Sequence, residues 1–197
     1  MNKEGWEVKK LSQIGTIVTG NTPKTSIVEN YESDDICFVK PGDIIADGIS
    51  LIKSTENYIS EYARTQARVL PKGSILATCI GIVGKIAILE KEAATNQQIN
   101  SIIPKKDTNS KFISYALYGA RNTFNHIANA PVVPIINKTQ FSSIEIPIPL
   151  LTIQNQIVAE LDELNNILDK KRKQLEELDT LAQATFYDMF GDPVLND

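Results

Sequence analysis

Residues 152–189, TIQNQIVAELDELNNILDKKRKQLEELDTLAQATFYDM, contain neither proline nor glycine and are dominated by Leu, Glu, Asp, Lys and Gln, residues that cost little in a helix. The stretch predicts one continuous helix of about 38 residues, roughly 57 Å long at 1.5 Å per residue, stopped by Gly191-Asp192-Pro193. Within it Ile157, Leu161, Leu164, Leu168, Lys171, Leu175, Leu178, Ala182, Thr185 and Met189 alternate by four and three. That is a heptad seam with Lys171 as its main fault. So narrow a stripe predicts a helical partner, because packing on its own domain would leave much of a rod this long unburied.

Upstream the texture changes. The recurrence of Val8, Leu11 and Ile14 predicts a short helix over Glu7 to Ile14, a break at Gly15, and a strand at Ile17-Val18. Gly20-Asn21-Thr22-Pro23-Lys24-Thr25 reads as a loop. Ile36 to Val39, Ile49 to Ile52, Ser74 to Ile80, Lys85 to Leu89 and Ile99 to Ile103 are short β-branched runs bounded by Pro, Gly or Asp, hence strands of a sheet. Lys111 to Ile127 follows helical spacing through Phe112, Tyr115, Ala116, Phe124 and Ile127, with Asn109 or Ser110 available as a cap, and is expected to pack on that sheet. Val132 to Ile136 and Ile144 to Ile148 are strand-like, and Pro147 and Pro149 close the unit. The fold class is therefore α+β. A globular domain with a mixed β-sheet over residues 1–150 is followed by one long coiled-coil-forming helix over 151–191 and a tail over 192–197.

Composition fits this division. Of the 197 residues 42% are hydrophobic and 22% charged, enough apolar material for a packed core. The formal net charge of −4 disfavours a protein held on nucleic acid by bulk charge. That charge is uneven: residues 1–150 carry 16 basic and 14 acidic side chains (+2), and 151–197 carry 4 and 10 (−6). Cys37 and Cys79 lie in apolar strand-like runs and read as buried free thiols, which suits a reduced, cytoplasmic setting. The most membrane-like stretch, Gly73 to Leu89, is interrupted by Gly81, Gly84 and Lys85, short of the roughly 20 apolar residues that span a bilayer; no membrane association is expected.

Catalytic motifs are missing from the pattern. His126 is the only histidine, too little for a His-based triad or metal cluster, and it reads as a partly buried structural residue. Gly81-Ile82-Val83-Gly84-Lys85-Ile86 looks superficially like a phosphate loop, but two residues separate the glycines where four are needed, and Ile86 occupies the Ser/Thr place. It reads as a turn between strands. Asn129-Ala130-Pro131-Val132 lacks the adjacent prolines and aromatic of a base-flipping amino-methyltransferase loop. The chain is expected to be no enzyme by itself, with no cofactor and no metal of its own.

Several motifs in order carry a resemblance. They are Trp6 followed by Leu11, the Gly20-x-Thr22-Pro23 loop, Ile36-Cys37-Phe38-Val39-Lys40-Pro41-Gly42-Asp43-Ile44, Leu70-Pro71-Lys72-Gly73-Ser74-Ile75-Leu76, Gly81-x-x-Gly84-Lys85 and Ala94-Thr95-Asn96-Gln97-Gln98-Ile99. Ile146-Pro147-Ile148-Pro149, Gln154, Ile157-Val158 and Met189-Phe190-Gly191-Asp192-Pro193 complete the set. Together they resemble the specificity subunit of type I restriction-modification systems, in which target-recognition domains alternate with long spacer helices. Ile153 departs from the Glu that such proteins often carry before Gln154, and Leu150-Leu151 replaces a fuller proline pair. Members of that family usually hold two recognition domains and two helices; this chain resembles half of one.

The resemblance implies a non-catalytic reader of double-stranded DNA. Its partners would be modification (methyltransferase) subunits, which bring S-adenosylmethionine, and an ATP-dependent restriction subunit working with ATP and Mg; the acidic helix face with Glu160, Glu163, Glu176 and Glu177 is a candidate docking surface. The unpartnered seam then predicts an antiparallel homodimer, which would read two half-sites of a gapped inverted repeat. Pairing positions whose numbers sum to 346 sets Ile157 against Met189, Leu161 against Thr185, Leu164 against Ala182, Leu168 against Leu178 and Lys171 against Leu175 of the second copy, with the dyad near Lys173. Candidate DNA-facing residues are Thr22, Lys24 and Thr25 in the first loop, Lys40, Arg64, Arg68, Lys72, Lys85 and Gln97 in the sheet region, and Lys105, Lys106 and Lys138 beyond. The lysines equally suit a solvated surface, and Asn96, Gln97 and Gln98 equally suit a tight turn that satisfies buried backbone. Pro23, Gly42, Gly73, Gly81 and Gly84 read as architectural. The same residues also suit a coiled-coil adaptor that binds modification subunits without reading sequence.

Overall fold

Short apolar strands, several of them buried at every position, make the sheets of the globular part, whereas the long C-terminal stretch buries almost none of its apolar side chains. The computed structural model describes residues 5–128 and 133–191. In chain order these form β1 (Glu7–Lys10), α1 (Leu11–Ile14), β2 (Gly15–Thr19), β3 (Ile36–Val39), β4 (Ile49–Ile52) and β5 (Tyr58–Ile59), then β6 (Ile75–Thr78), β7 (Ile86–Leu89), β8 (Ala93–Thr95) and β9 (Ile99–Pro104). The helices α2 (Ser110–Gly119), α3 (Arg121–Ile127) and α4 (Lys138–Ser142) follow, then β10 (Glu145–Ile148) and α5 (Leu151–Phe190). Residues up to Asn155 make one compact unit and those from Gln156 a second.

The first unit is α+β with mixed sheets. Five strands lie in the order β2-β9-β6-β7-β4, antiparallel except for the parallel pair β7 and β4, and three more in the order β5-β3-β8, where β3 runs parallel to β8. Cys37, Val39 and Ala93 from the smaller sheet and Ile52, Leu76, Ala87, Leu89 and Ile99 from the larger one form a shared core between the two. On β6 and β7 the alternate residues Ile75, Ala77, Ile86 and Ile88 are also buried, on the face that α2 covers. Buried on both faces, these strands are continuous apolar runs, as the sequence pattern predicts.

Several local expectations change. Glu7 to Ile14 is four extended residues followed by a single helical turn: Glu7–Lys10 pairs with β10, and Val8, counted in the helical period, is 65% exposed. A tertiary partner strand overrides a weak periodicity here. The helix expected over Lys111 to Ile127 is two helices, broken at Ala120, whose backbone leaves the helical region after Gly119. The redirected α3 buries Phe124 edge-on to Phe141, with ring centroids 6.2 Å apart. Asn109 is the cap, its Oδ1 accepting from the amides of Lys111 and Phe112. Val132 to Ile136 is not a ladder strand in its described part; Pro134 has no amide to donate, and Ile135 makes one isolated bridge to Ile80. Val132 itself and the Asn129-Ala130-Pro131-Val132 motif lie outside the described residues. His126 is exposed rather than partly buried, on the solvent side of α3. Both cysteines are free and buried, as expected.

Gly20 is the tightest backbone approach in the unit. Its amide donates to the Ile99 carbonyl at 3.0 Å, and a Cβ placed there would overlap the carbonyl oxygens of Thr95 and Asn96 and the Thr95 Oγ1. Because two of the three obstacles are backbone, Gly20→Ala is expected to cost about 3 kcal/mol or more of stability, read as a lowered urea midpoint at unchanged m-value.

Candidate nucleic-acid interface

Strand directions bring distant loops together. β2, β3, β6 and β8 end, and β4, β7 and β9 begin, at one end of the sheets, as their pairing registers require. The loops 20–25, 40–48, 79–85 and 96–98 therefore share one rim. Hydrogen bonds tie them laterally: Cys79 N donates to Gln98 O at 2.8 Å, Asn96 N to Val39 O at 3.2 Å, and Ile136 N to Cys79 O at 2.8 Å, which brings the start of α4 to the same side.

Most of the DNA-facing candidates lie on this rim. Thr22 and Gln97 are both exposed and meet directly, Thr22 Oγ1 donating to Gln97 Oε1 at 2.8 Å. Lys24 and Thr25 are exposed beside them, and the Asn30 amide holds the Lys24 carbonyl at 3.0 Å so that the loop keeps its shape. The tight-turn role falls instead to Asn96, whose Oδ1 accepts from Gln98 N at 3.1 Å. Lys40 reaches the Asn57 side chain at 2.7 Å and passes over the Phe38 ring. Arg68 lays one guanidinium nitrogen on the Thr19 carbonyl at 2.7 Å. Lys85 points inward, its ammonium donating to the carbonyls of Pro41 (3.0 Å) and Ile44 (2.8 Å), so it braces the neighbouring loop. Lys138 opens α4 and is exposed.

The remaining candidates sit at the opposite end of the strands. Arg64 is held between Glu61 and Glu92, hydrogen bonds that push its pKa upward and hold the Glu92 carboxyl below its usual range. Lys72 stands beside Gly73, whose amide meets the Leu89 carbonyl at the far end of β7. Lys105 and Lys106 follow β9, with the Lys105 ammonium on the Gln13 carbonyl at 2.7 Å. No single face includes these four with the rim residues, since a full strand length separates them.

The rim also carries side chains that residue patterns did not nominate. The β6–β7 turn, with left-handed Gly81 (φ 76°) and Gly84 (φ 82°), lifts Ile82 to 68% exposure. Arg121, Asn122 and Asn125 of α3 join Ala46 and the turn in a cleft of about 340 Å³. In an unbroken helix they had no reason to stand out. Among the described residues no group of three or more His, Cys, Asp or Glu is placed to hold a metal ion, and no helix is long and apolar enough to cross a membrane.

In the second unit the seam residues Leu164, Leu168, Leu175, Leu178 and Met189 are all more than half exposed, as are Leu181, Phe186 and Phe190. Ile157 and Leu161 are half-buried and Ala182 is exposed. Lys171 donates to Gln174 within its own helix. Phe186 and Phe190 lie 5.0 Å apart, an aromatic pair one turn from the helix end that the heptad pattern had passed over.

This architecture, a unit of three sheets with its loops gathered at one rim and a long helix with a bare apolar seam, matches a known class. A family described as the type I restriction modification DNA specificity domain covers residues 3–179, and the chain belongs to that family. It is 31% identical over 95% of its length to the type I restriction enzyme MjaIX specificity subunit of Methanocaldococcus jannaschii, and 33% identical over 85% to the HindI specificity subunit of Haemophilus influenzae. The chain spans 44% and 38% of those two proteins. Its fold is also that of the HsdS subunit from Thermoanaerobacter tengcongensis, with a TM-score of 0.71 at 23% identity over 95% of this chain and 45% of the other.

The separation of the candidates between two ends has a direct test. Replacing Lys72, Lys105 and Lys106 together by Ala should leave DNA affinity within about twofold, whereas replacing Lys24, Lys40 and Gln97 should lower it by about tenfold or more, measured by fluorescence anisotropy on the same duplex.

Proposed function

We propose that this chain is a non-catalytic DNA sequence-specificity component of a type I restriction-modification system, its globular N-terminal unit reading one half-site through the rim. The observation that carries the reading is the lateral assembly of Thr22, Lys24, Thr25, Gln97, Lys40 and Arg68 on neighbouring loops of a family member. Donor and acceptor side chains on a rigid sheet end can meet base edges in the major groove. With residues 1–150 at only +2, phosphate neutralisation supplies little grip, so tight binding requires partner subunits. Double-stranded DNA, modification subunits supplying S-adenosylmethionine, and an ATP- and Mg-dependent restriction subunit are the partners of this reading.

A bare seam of this length is supplied by a second, antiparallel copy of the same helix, with the dyad near Lys173 and Lys171 reaching across to Leu175 of the second copy. Two units on such a spacer would read a gapped inverted repeat, the gap being set by the helix register. The globular units carry only buried thiols, so a single Lys173→Cys should crosslink across the dyad under mild oxidation; absence of crosslinked dimer discards this register.

The chain mixed with modification subunits and randomised duplex DNA should enrich a gapped inverted repeat. If the mixture assembles and enriches nothing, the chain is an adaptor that holds modification subunits without reading sequence. Bound alone at physiological salt, the chain should retain DNA only weakly.

A further inference from the structure

The cleft between the β6–β7 turn and α3 is the cavity on this rim that the residue patterns do not explain. Its walls are Ala46, the Ile82–Lys85 turn, and Arg121, Asn122 and Asn125. Arg121 is fixed in orientation: its guanidinium carbon lies 3.9 Å from the centroid of the Tyr118 ring, and the Tyr118 hydroxyl is itself held by the Gly48 amide at 3.0 Å. Its polar contacts among the described residues use one nitrogen, to the Ala46 carbonyl at 3.4 Å and to Asp47 at 3.3 Å. Both are long for a guanidinium that carries five donors. Asp47 is 93% exposed at its side chain, so a stronger anion can displace it. Lys85 also lines the cleft, and its ammonium is turned onto the Pro41 and Ile44 carbonyls, which satisfies donors without cancelling its charge. Asn122 and Asn125, three apart on one helix, face the same side and are exposed.

A concave site with a stacked, oriented guanidinium, a lysine in its wall whose charge is not cancelled, and two amides suits a tetrahedral oxyanion better than a base edge, because a guanidinium laid on a ring and tied to the adjoining loop is held in place rather than free to reach along a groove. We propose that this cleft holds a phosphate of the DNA backbone, with Arg121 as its principal donor, and so sets the register in which the rim meets the bases. The inference rests on the DNA-reading function proposed above.

The test uses the full chain assembled with modification subunits, with affinity for target and non-target duplexes titrated over salt. Arg121→Ala should weaken both duplexes alike and lower the slope of log K against log salt by about one, with the target-to-non-target ratio unchanged; Arg121→Lys should restore the slope. Asp47→Asn should do the opposite and tighten both, a gain that a misfolded protein would not show. An unchanged slope in Arg121→Ala, a loss confined to the target duplex, or weaker binding by Asp47→Asn would overturn the proposal. Inorganic phosphate that binds the cleft through Arg121 while leaving DNA affinity at constant ionic strength unchanged would assign the cleft to the free ion and overturn the proposal as well. A wild-type assembly with no target preference sinks the sequence-reading function, while the slopes on non-specific duplex still decide the cleft.

Discussion

The amide of Gly20 against the β8–β9 turn is the contact from which the rim is built. A side chain there would push the first loop off the backbone of Thr95 and Asn96, and with it Thr22 off Gln97. The same turn receives the amide of Cys79 on its other side and sends the Asn96 amide to Val39. One three-residue reversal between β8 and β9 thus fixes the relative positions of loops drawn from residues 20, 39 and 79. Glycine is needed at 20 for space alone, since its backbone angle is one any residue could take.

Strands whose own residues are β-branched and punctuated by Pro or Gly were legible in the sequence. Ile36–Val39 and Ile49–Ile52 coincide with their runs, and the long helix extends only one residue beyond its predicted stretch at each end. What escaped was structure that exists through a partner. Ala93–Thr95 is a strand because β3 lies beside it in parallel register, and Tyr58–Ile59 because β3 closes on it from the other side. Two parallel pairs, β3 with β8 and β4 with β7, link segments far apart in the chain; the rim they create has no local signature, because nothing in Lys40 itself announces that Gln97 stands nearby. For the same reason residue type nominated Arg64 and Lys85, and only coordinates show each one held by its neighbours.

The charge distribution takes on a more specific meaning. Near-neutrality of the first 150 residues leaves Lys24, Lys40, Arg68, Lys85 and Arg121 gathered on the rim, while at the opposite end Arg64 is cancelled by Glu61 and Glu92. A modest total can therefore coexist with a directed local field. Gln154 adds a second kind of economy. Fully buried, it donates to the Pro149 carbonyl and accepts from the Asn109 amide, so the first turn of α5 is fastened to the start of α2 by one side chain.

The pairing of β1 with β10 has a topological consequence. Glu7 lies opposite Ile148 and Lys10 opposite Glu145, so the chain enters and leaves the compact unit side by side. A domain whose ends meet is, in connectivity, nearly a closed ring: new termini opened in an exposed loop would leave every strand pair intact.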